Sequence, residues 1–431
     1  MDAALPPGPR APRAAQMAAW LARPGWFAEQ CRSRFGDVFT LRVEERPWVV
    51  LGDPADVREV FTAPDDVMHG GEANLILQPT LGAHSVMLLD EAAHLRRRRL
   101  MLPAFHGDRL ARHRGIMVEA TERAMAHWRP GERIALRPYA QAITLEVIVR
   151  AVFGVEDGRP LERVRALLAE LLDRLTRPRR LFLAAYLGPH HPLMLALSRR
   201  ELAPVDAELH RLIRERREAP DLAGRDDILS MLLLARDEAG GGLSDAELRD
   251  ELMTLLVAGH ETTANSLAWA FERLARTPGA LDRVAGDDAY AEAAVRETLR
   301  LRPVIALVAR CLTRDVELAG RRLPAGAMVA PCVLLVHRRP DVYPDPDAFR
   351  PERFLEQPPG TYTWIPFGGG VRRCLGASFA QMELQVVLQT IAARVRLEPV
   401  GAAEPVRRRA ITLVPARGGE MRVAGARLPV G

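Results

Sequence analysis

The chain has 431 residues, 48% of them hydrophobic, with 60 basic against 55 acidic side chains for a formal charge of +5. Such a chain can bury a sizeable core, which excludes global disorder, and its small positive excess does not argue for nucleic acid. No lysine occurs, and the four cysteines include no Cys-x-x-Cys pair, so a zinc ribbon, a thioredoxin-like site and a disulfide framework are all disfavoured.

The low cysteine count and the lack of a basic-then-apolar leader fit a reducing cytoplasm. No apolar run approaches the ~18–20 residues that span a bilayer. Residues 1–34 read as a stiff, exposed, proline-rich lead-in (Leu5 to Pro9) followed by a first helix, and 35–431 as a single domain. From Phe35 to Leu51 apolar residues alternate, which predicts a hairpin of strands, and Pro54 to Phe61 predicts a short helix. Residues 68–90 read as a long irregular loop, and 91–220 as mostly helical, with Arg177–Pro192 joining two helices. Gly240 to Gly242 break the chain before a long helix that opens at Ser244, where Glu247 completes a capping-box spacing. Leu248, Leu252, Leu255, Leu256, Leu267, Phe271 and Leu274 recur with helical period until Pro278-Gly279. At ~1.5 Å per residue this helix is roughly 50 Å long. Gly259 in its middle costs about 1 kcal/mol relative to alanine, which something should offset. Beyond residue 302, β-like pieces at Val316–Leu318, Met328–Val336 and Ile411–Val414 lie among prolines, Pro340 to Pro359 holds little regular structure, and a last helix runs from Leu375 to Arg394. The fold class is mainly α with minor β.

The strongest chemical signal is Phe367-Gly-Gly-Gly-Val-Arg-Arg-Cys374-Leu-Gly376. A cysteine at the end of a glycine-rich loop, just before a helix, meets free N–H groups and a positive dipole end, both of which favour a thiolate. Such a thiolate is a strong donor ligand for haem iron. Cys31, Cys311 and Cys332 carry no such pattern and read as buried, inert thiols.

With Phe367, Gly370, Arg372, Cys374 and Gly376 in place, the sequence resembles the cytochrome P450 family from about Gly36 to Val423. The resemblance implies the long-helix-over-haem fold, haem b (iron protoporphyrin IX) and Cys374 as the metal ligand, with Phe367, Gly368, Gly376 and Ala258 around the cofactor. Three further motifs agree. Ala258-Gly259-His260-Glu261-Thr262-Thr263 implies that Gly259 lets dioxygen approach, Thr262 hydrogen-bonds the bound oxygen and Glu261 relays protons. Glu297 and Arg300, with Arg353 downstream, imply a structural lock on the proline-dense segment. His94 and Arg98, with Arg310 and Arg372, imply clamps on the haem propionates. Arg96 and Arg97 read as a solvated basic face; alternatively the run Arg96–Arg99, with Arg112 and Arg373, forms a docking patch for an acidic electron carrier.

The implied activity is insertion of one oxygen atom from O2 into an apolar small molecule, with fatty acids or terpenoids favoured over steroids or macrolides. Electrons are expected from a separate ferredoxin or flavodoxin with its reductase, since no reductase domain follows the last β-like segments. The implied pocket takes Leu75, Ile76, Leu81, Val86, the connection near Leu181–Leu187, Met253, Val257, Ala258, Val304, Leu307, Val308 and Ile411, none of them charged. A peroxygenase or isomerase on the same fold, and a haem-based ligand sensor, are the alternatives.

Overall fold

The computed structural model describes residues 5–105, 108–154, 159–175, 177, 179–180, 183, 187–188 and 190–426. Its main helices are α1 (Arg13–Ala22), α2 (Pro24–Phe35), α3 (Pro54–Thr62), α4 (Glu91–Met101), α5 (Asp108–Met125), α6 (Leu136–Phe153), α7 (Arg159–Leu175), α8 (Pro192–Glu218), α9 (Ile228–Leu234), α10 (Asp245–Ala275), α11 (Ala280–Gly286), α12 (Asp288–Leu301) and α13 (Ala377–Arg394). The strands are β1 (Val38–Leu41), β2 (Trp48–Leu51), β3 (Met68–His69), β4 (Arg133–Ala135), β5 (Arg310–Leu312), β6 (Val316–Leu318), β7 (Arg321–Leu323), β8 (Met328–Pro331), β9 (Val395–Pro399), β10 (Val406–Arg409), β11 (Thr412–Pro415) and β12 (Glu420–Ala426).

Helix α10 is the axis. Its 31 residues follow the cap Ser244, whose hydroxyl accepts from the Glu247 N–H while the Glu247 carboxylate accepts from the Ser244 N–H, the reciprocal capping expected from the spacing. On either side of its middle, residues 248–256 and 263–274 are buried almost throughout, so it is a core helix rather than a surface one. Helices α6 and α13 pack directly against it, and one apolar cluster joins Ile148 of α6, Leu252 and Phe271 of α10 and Leu388 of α13. A second layer is a five-stranded sheet in the order β1-β2-β8-β5-β3, in which only β2 and β8 run parallel. The predicted hairpin of β1 and β2 is present, with Val38 opposite Leu51.

The structure departs from the sequence-based expectation at four places. The N-terminal lead-in is not free in solvent: Pro6 is buried, the Thr40 hydroxyl donates to Pro6 O at 2.7 Å, and Gly8 lies so close to Thr40 O that a side chain could not fit. Two helices, not one, occupy residues 13–35. The segment 68–90 contains β3 and three single helical turns, and α10 holds it: Asp250 accepts from the His84 N–H, Glu251 from the Val86 N–H, each at 2.8 Å, and Thr254 donates to Ser85 Oγ. The β-like run Met328–Val336 stops at Pro331, which has no N–H for the ladder, and Val333–Val336 form a helical turn. Among the described residues no helix is long and apolar enough to cross a membrane.

Candidate active site

The cysteine loop is built by glycines that nothing else could replace. Gly368 and Gly370 have φ of 66° and 65°, a left-handed conformation that glycine adopts freely. Gly370 also lies against Phe61 O, where a side-chain carbon would sit only 2.1 Å away. The Cys374 N–H closes the turn onto Phe367 O at 3.0 Å, and Gly376 caps α13. The Cys374 side chain is accessible, whereas Cys31, Cys311 and Cys332 are buried, as expected. Burial pushes those three thiols up to about 11, 11 and 12. At Cys374 the surrounding protein also pushes the thiol up, and the Gly376 N–H, Arg98 and Arg373 pull it back only in part. A metal cation bound at Sγ would favour the anion.

Opposite features mark the middle of α10. Between its buried stretches, Ala258 is exposed and Val257, Gly259 and Thr262 are partly exposed, which requires open space at the centre of the molecule. The Thr262 hydroxyl donates to Ala258 O at 2.6 Å, leaving its lone pairs as acceptors. Glu261 is turned to α6: Oε1 accepts from Arg137 at 2.5 Å and Oε2 from Gln141 at 2.9 Å. Burial pushes the Glu261 carboxyl up, but Arg137 and Gln141 outweigh it and hold it below the usual carboxylate range. Among the described residues no hydrogen bond joins Glu261 to Thr262. Gly259 is partly exposed and packs toward α6, where an added Cβ would sit 3.2 Å from the side-chain end of Ile148.

The expected propionate clamps form an unbalanced cluster. Arg310 is buried, its guanidinium donates to Ala309 O, and burial pushes it down to about 10, with Arg372 adding repulsion. Arg98 is also lowered, first by burial and then by Arg373 and Arg372. Neither has a carboxylate within ion-pair distance among the described residues. Arg372 is already engaged, donating to Asp90 and Leu89 O. His94 Nδ1 stands 3.5 Å from Asp65, and burial with its arginine neighbours pushes its imidazole down to about 4. His94 Nδ1, Asp65 Oδ2 and Arg372 Nε are buried without hydrogen-bond partners. Orphaned polar atoms and two unmatched guanidiniums beside an accessible cysteine fit a dianionic haem edge, which would supply the missing acceptors.

The Glu297 set is charge-matched where that cluster is not, with only Arg353 Nη2 buried without a partner among the described residues. Arg300 donates to both Glu297 oxygens at 2.7 and 2.8 Å and to the carbonyls of His337, Pro346 and Ala348. Arg353 and the Arg350 N–H donate to Glu297 as well. His337, which sequence inspection passed over, bonds to Arg300 O through Nδ1 and accepts the Ile365 N–H at Nε2, 2.8 Å away.

Other expected residues fall in several places. Arg97 is not solvated: it is 3% exposed and pairs with Glu247 and, at 2.8 Å, with Glu251. Arg96, Arg99 and Arg112 pair with Asp237, Glu238 and Asp226, so the basic patch is largely neutralised within the chain. Leu307 and Val308 are partly exposed, and Val308 approaches the cysteine loop at Gly368. The Leu413 N–H bonds to Val304 O, bringing the β10–β11 turn at Ile411 toward that segment. Leu75, Ile76 and Ile411 are exposed, whereas Leu81, Val86, Met253 and Val304 are buried among other side chains. The connection near Leu181–Leu187 falls largely outside the described residues.

Residues 6–420 match the family model for cytochrome P450. The chain is 42% identical to cytochrome P450 135B1 of Mycobacterium bovis over 98% of its length and 92% of that protein. It is 39% identical to cytochrome P450 135A1 of Mycobacterium tuberculosis over 97% of its length and 95% of that protein. Its fold matches that of a cyanobacterial CYP120A1 solved with retinoic acid bound, with a TM-score of 0.83 at 23% identity over 99% of this chain and all of that one.

Proposed function

This chain belongs to the cytochrome P450 family of haem-dependent monooxygenases, and on that premise we propose that it oxygenates an apolar small molecule, a fatty acid or terpenoid before a steroid or macrolide. Electrons come from a separate ferredoxin or flavodoxin with its reductase. One observation carries the substrate class. The accessible side chains at the centre of α10 and in the segment before β5 include Val257, Ala258, Thr262, Ile305, Leu307 and Val308; the one ionisable group there, Glu261, is already bonded to Arg137 and Gln141, so a charged substrate core would find no free partner.

When bound, haem supplies an iron that takes up dioxygen and electrons. Cys374 Sγ would be its protein ligand, and Arg98, Arg310 and His94 would hold its carboxylates. Thr262 Oγ1, with its own proton on Ala258 O, accepts a hydrogen bond and so positions water beside Ala258. Glu261 stays ionised on Arg137 and Gln141; to move a proton it must first leave that pair, which makes Arg137 a positioning residue for the acid. The side chains on this face of α10 are small or aliphatic, which lets an apolar substrate displace water from the centre of the molecule.

A haem absorbance titration with fatty acids, terpenoids, steroids and macrolides tests the reading. A saturable low- to high-spin shift is expected with a fatty acid or terpenoid. A shift with a macrolide or steroid alone would replace the substrate class, and preparations without haem absorbance would remove Cys374 from its role.

A further inference from the structure

A second cavity, of about 530 Å³, lies away from the cysteine loop, between α2, the end of α12 and the β10–β11 hairpin. Its lining includes neither Cys374, Thr262 nor any residue of the His94–Arg98–Arg310 cluster. Its floor is Arg302, stacked over the fully buried Trp269 ring at 5.3 Å. Among the described residues the Arg302 guanidinium hydrogen-bonds only to Leu301 O, at 3.3 Å, and its Nε is buried without a partner. Arg338 lines the same cavity, and among the described residues its one ion-pair partner is Asp347, 3.3 Å away with a side chain 87% exposed. The other acids nearby are engaged: Glu272 by Arg273 and Arg276, Glu29 by Arg32. Burial pushes Arg302 down to about 10, and repulsion from Arg273 and Arg338 adds to it. Arg338 is lowered in the same direction, again first by burial.

Two guanidiniums held in one cavity with little counter-charge are costly unless an anion joins them. The mouth has the opposite character. Trp26 is 57% exposed and Val406 42% exposed, and both line the cavity. Gly25, between Pro24 and Trp26, also lines the cavity and lies beside Arg338. The lining also includes Glu29 and Asp347, which would repel a dianion more than a single carboxylate.

We propose that this cavity binds a carboxylate-bearing amphiphile, its carboxylate on Arg302 and Arg338 and its apolar body along Trp26, Pro303 and Val406. Planar guanidinium forks match carboxylate geometry, and the volume suits a small ligand. Calorimetry of the haem-loaded protein with decanoate, decanol and inorganic phosphate tests this, with haem absorbance followed in parallel to score filling of the haem pocket separately. One decanoate site that leaves the haem spectrum unchanged is expected. Arg302→Gln and Arg338→Gln should each weaken it tenfold or more, and decanol and phosphate should each bind at least tenfold more weakly than decanoate. Trp26→Ala, at an exposed position, should leave folding intact and weaken decanoate several-fold. The proposal is overturned if the spectrally silent site is absent, if the arginine variants bind like the parent protein, or if decanol or phosphate matches decanoate. Should the arginine variants not fold, unchanged affinity in Trp26→Ala overturns it.

Discussion

Two buried charged clusters frame the cysteine loop, and they are built on opposite principles. In the Glu297 knot both carboxylate oxygens are shared among Arg300, Arg353 and the Arg350 N–H, and Arg300 spends its remaining donors on three carbonyls. Around His94, Arg98 and Arg310 cations exceed anions, and polar atoms of His94, Asp65 and Arg372 lack partners. A cluster satisfied from within the chain is structural. A cluster left unsatisfied is built around something the chain does not contain.

Substitutions separate the two. The largest effect is expected from Glu297→Gln, which strands two buried guanidiniums; breaking a buried pair this way costs roughly 3–5 kcal/mol. Urea denaturation checks it, and a loss below about 1 kcal/mol would deny the knot its structural role. Arg310→Gln should act in the reverse sense. Removing an unmatched buried cation should leave the haem-free protein as stable as before or more so, while haem loss to a scavenging apoprotein accelerates tenfold or more. Equal destabilisation by both substitutions would erase the distinction.

Acid sharpens the comparison further. His337 in the knot is pushed down to about 3 and His94 in the open cluster to about 4, both first by burial, against an ordinary 6.5. A folded value below the unfolded one gives stability that is complete above pH 6.5 and falls as pH drops from there toward 4. The melting temperature of the haem-free protein should decline over that window, and His337→Gln should flatten the slope. A melting temperature constant from pH 6.5 to 4 would contradict the burial of both imidazoles. The smallest effect is expected at Gly259→Ala, outside both clusters. A helix gain of about 1 kcal/mol is set against pushing aside the flexible end of Ile148, so thermal stability should change little and oxygen-coupled turnover not at all. A large loss of coupling would support the role in dioxygen access first expected of this glycine.

Much of the candidate site was legible because its parts are local in the chain. Phe367 to Gly376 form one turn, Ser244 and Glu247 one cap, Glu297 and Arg300 one helix face. What escaped inspection is what long-range packing joins. Arg137 meets Glu261 across 124 positions, and nothing near either residue announces the pair. Asp65 and Asp90 reach the haem-side arginines from two different loops. Arg97 sits in a run of four arginines, yet it alone among them is buried, where it pairs with Glu247 and Glu251 of α10.

The sequence by itself determined the chemistry on offer: a cysteine on a glycine turn, an acid–alcohol pair in mid-helix, an all-arginine complement of cations. Residue type and short-range spacing suffice for these, since backbone geometry over a few residues dictates them. Only the tertiary structure decided which charges are matched and which are left waiting, and that Gly259 lies against Ile148 of α6. Ion pairing and desolvation depend on distances and burial that arise when remote segments meet, and no local pattern encodes them.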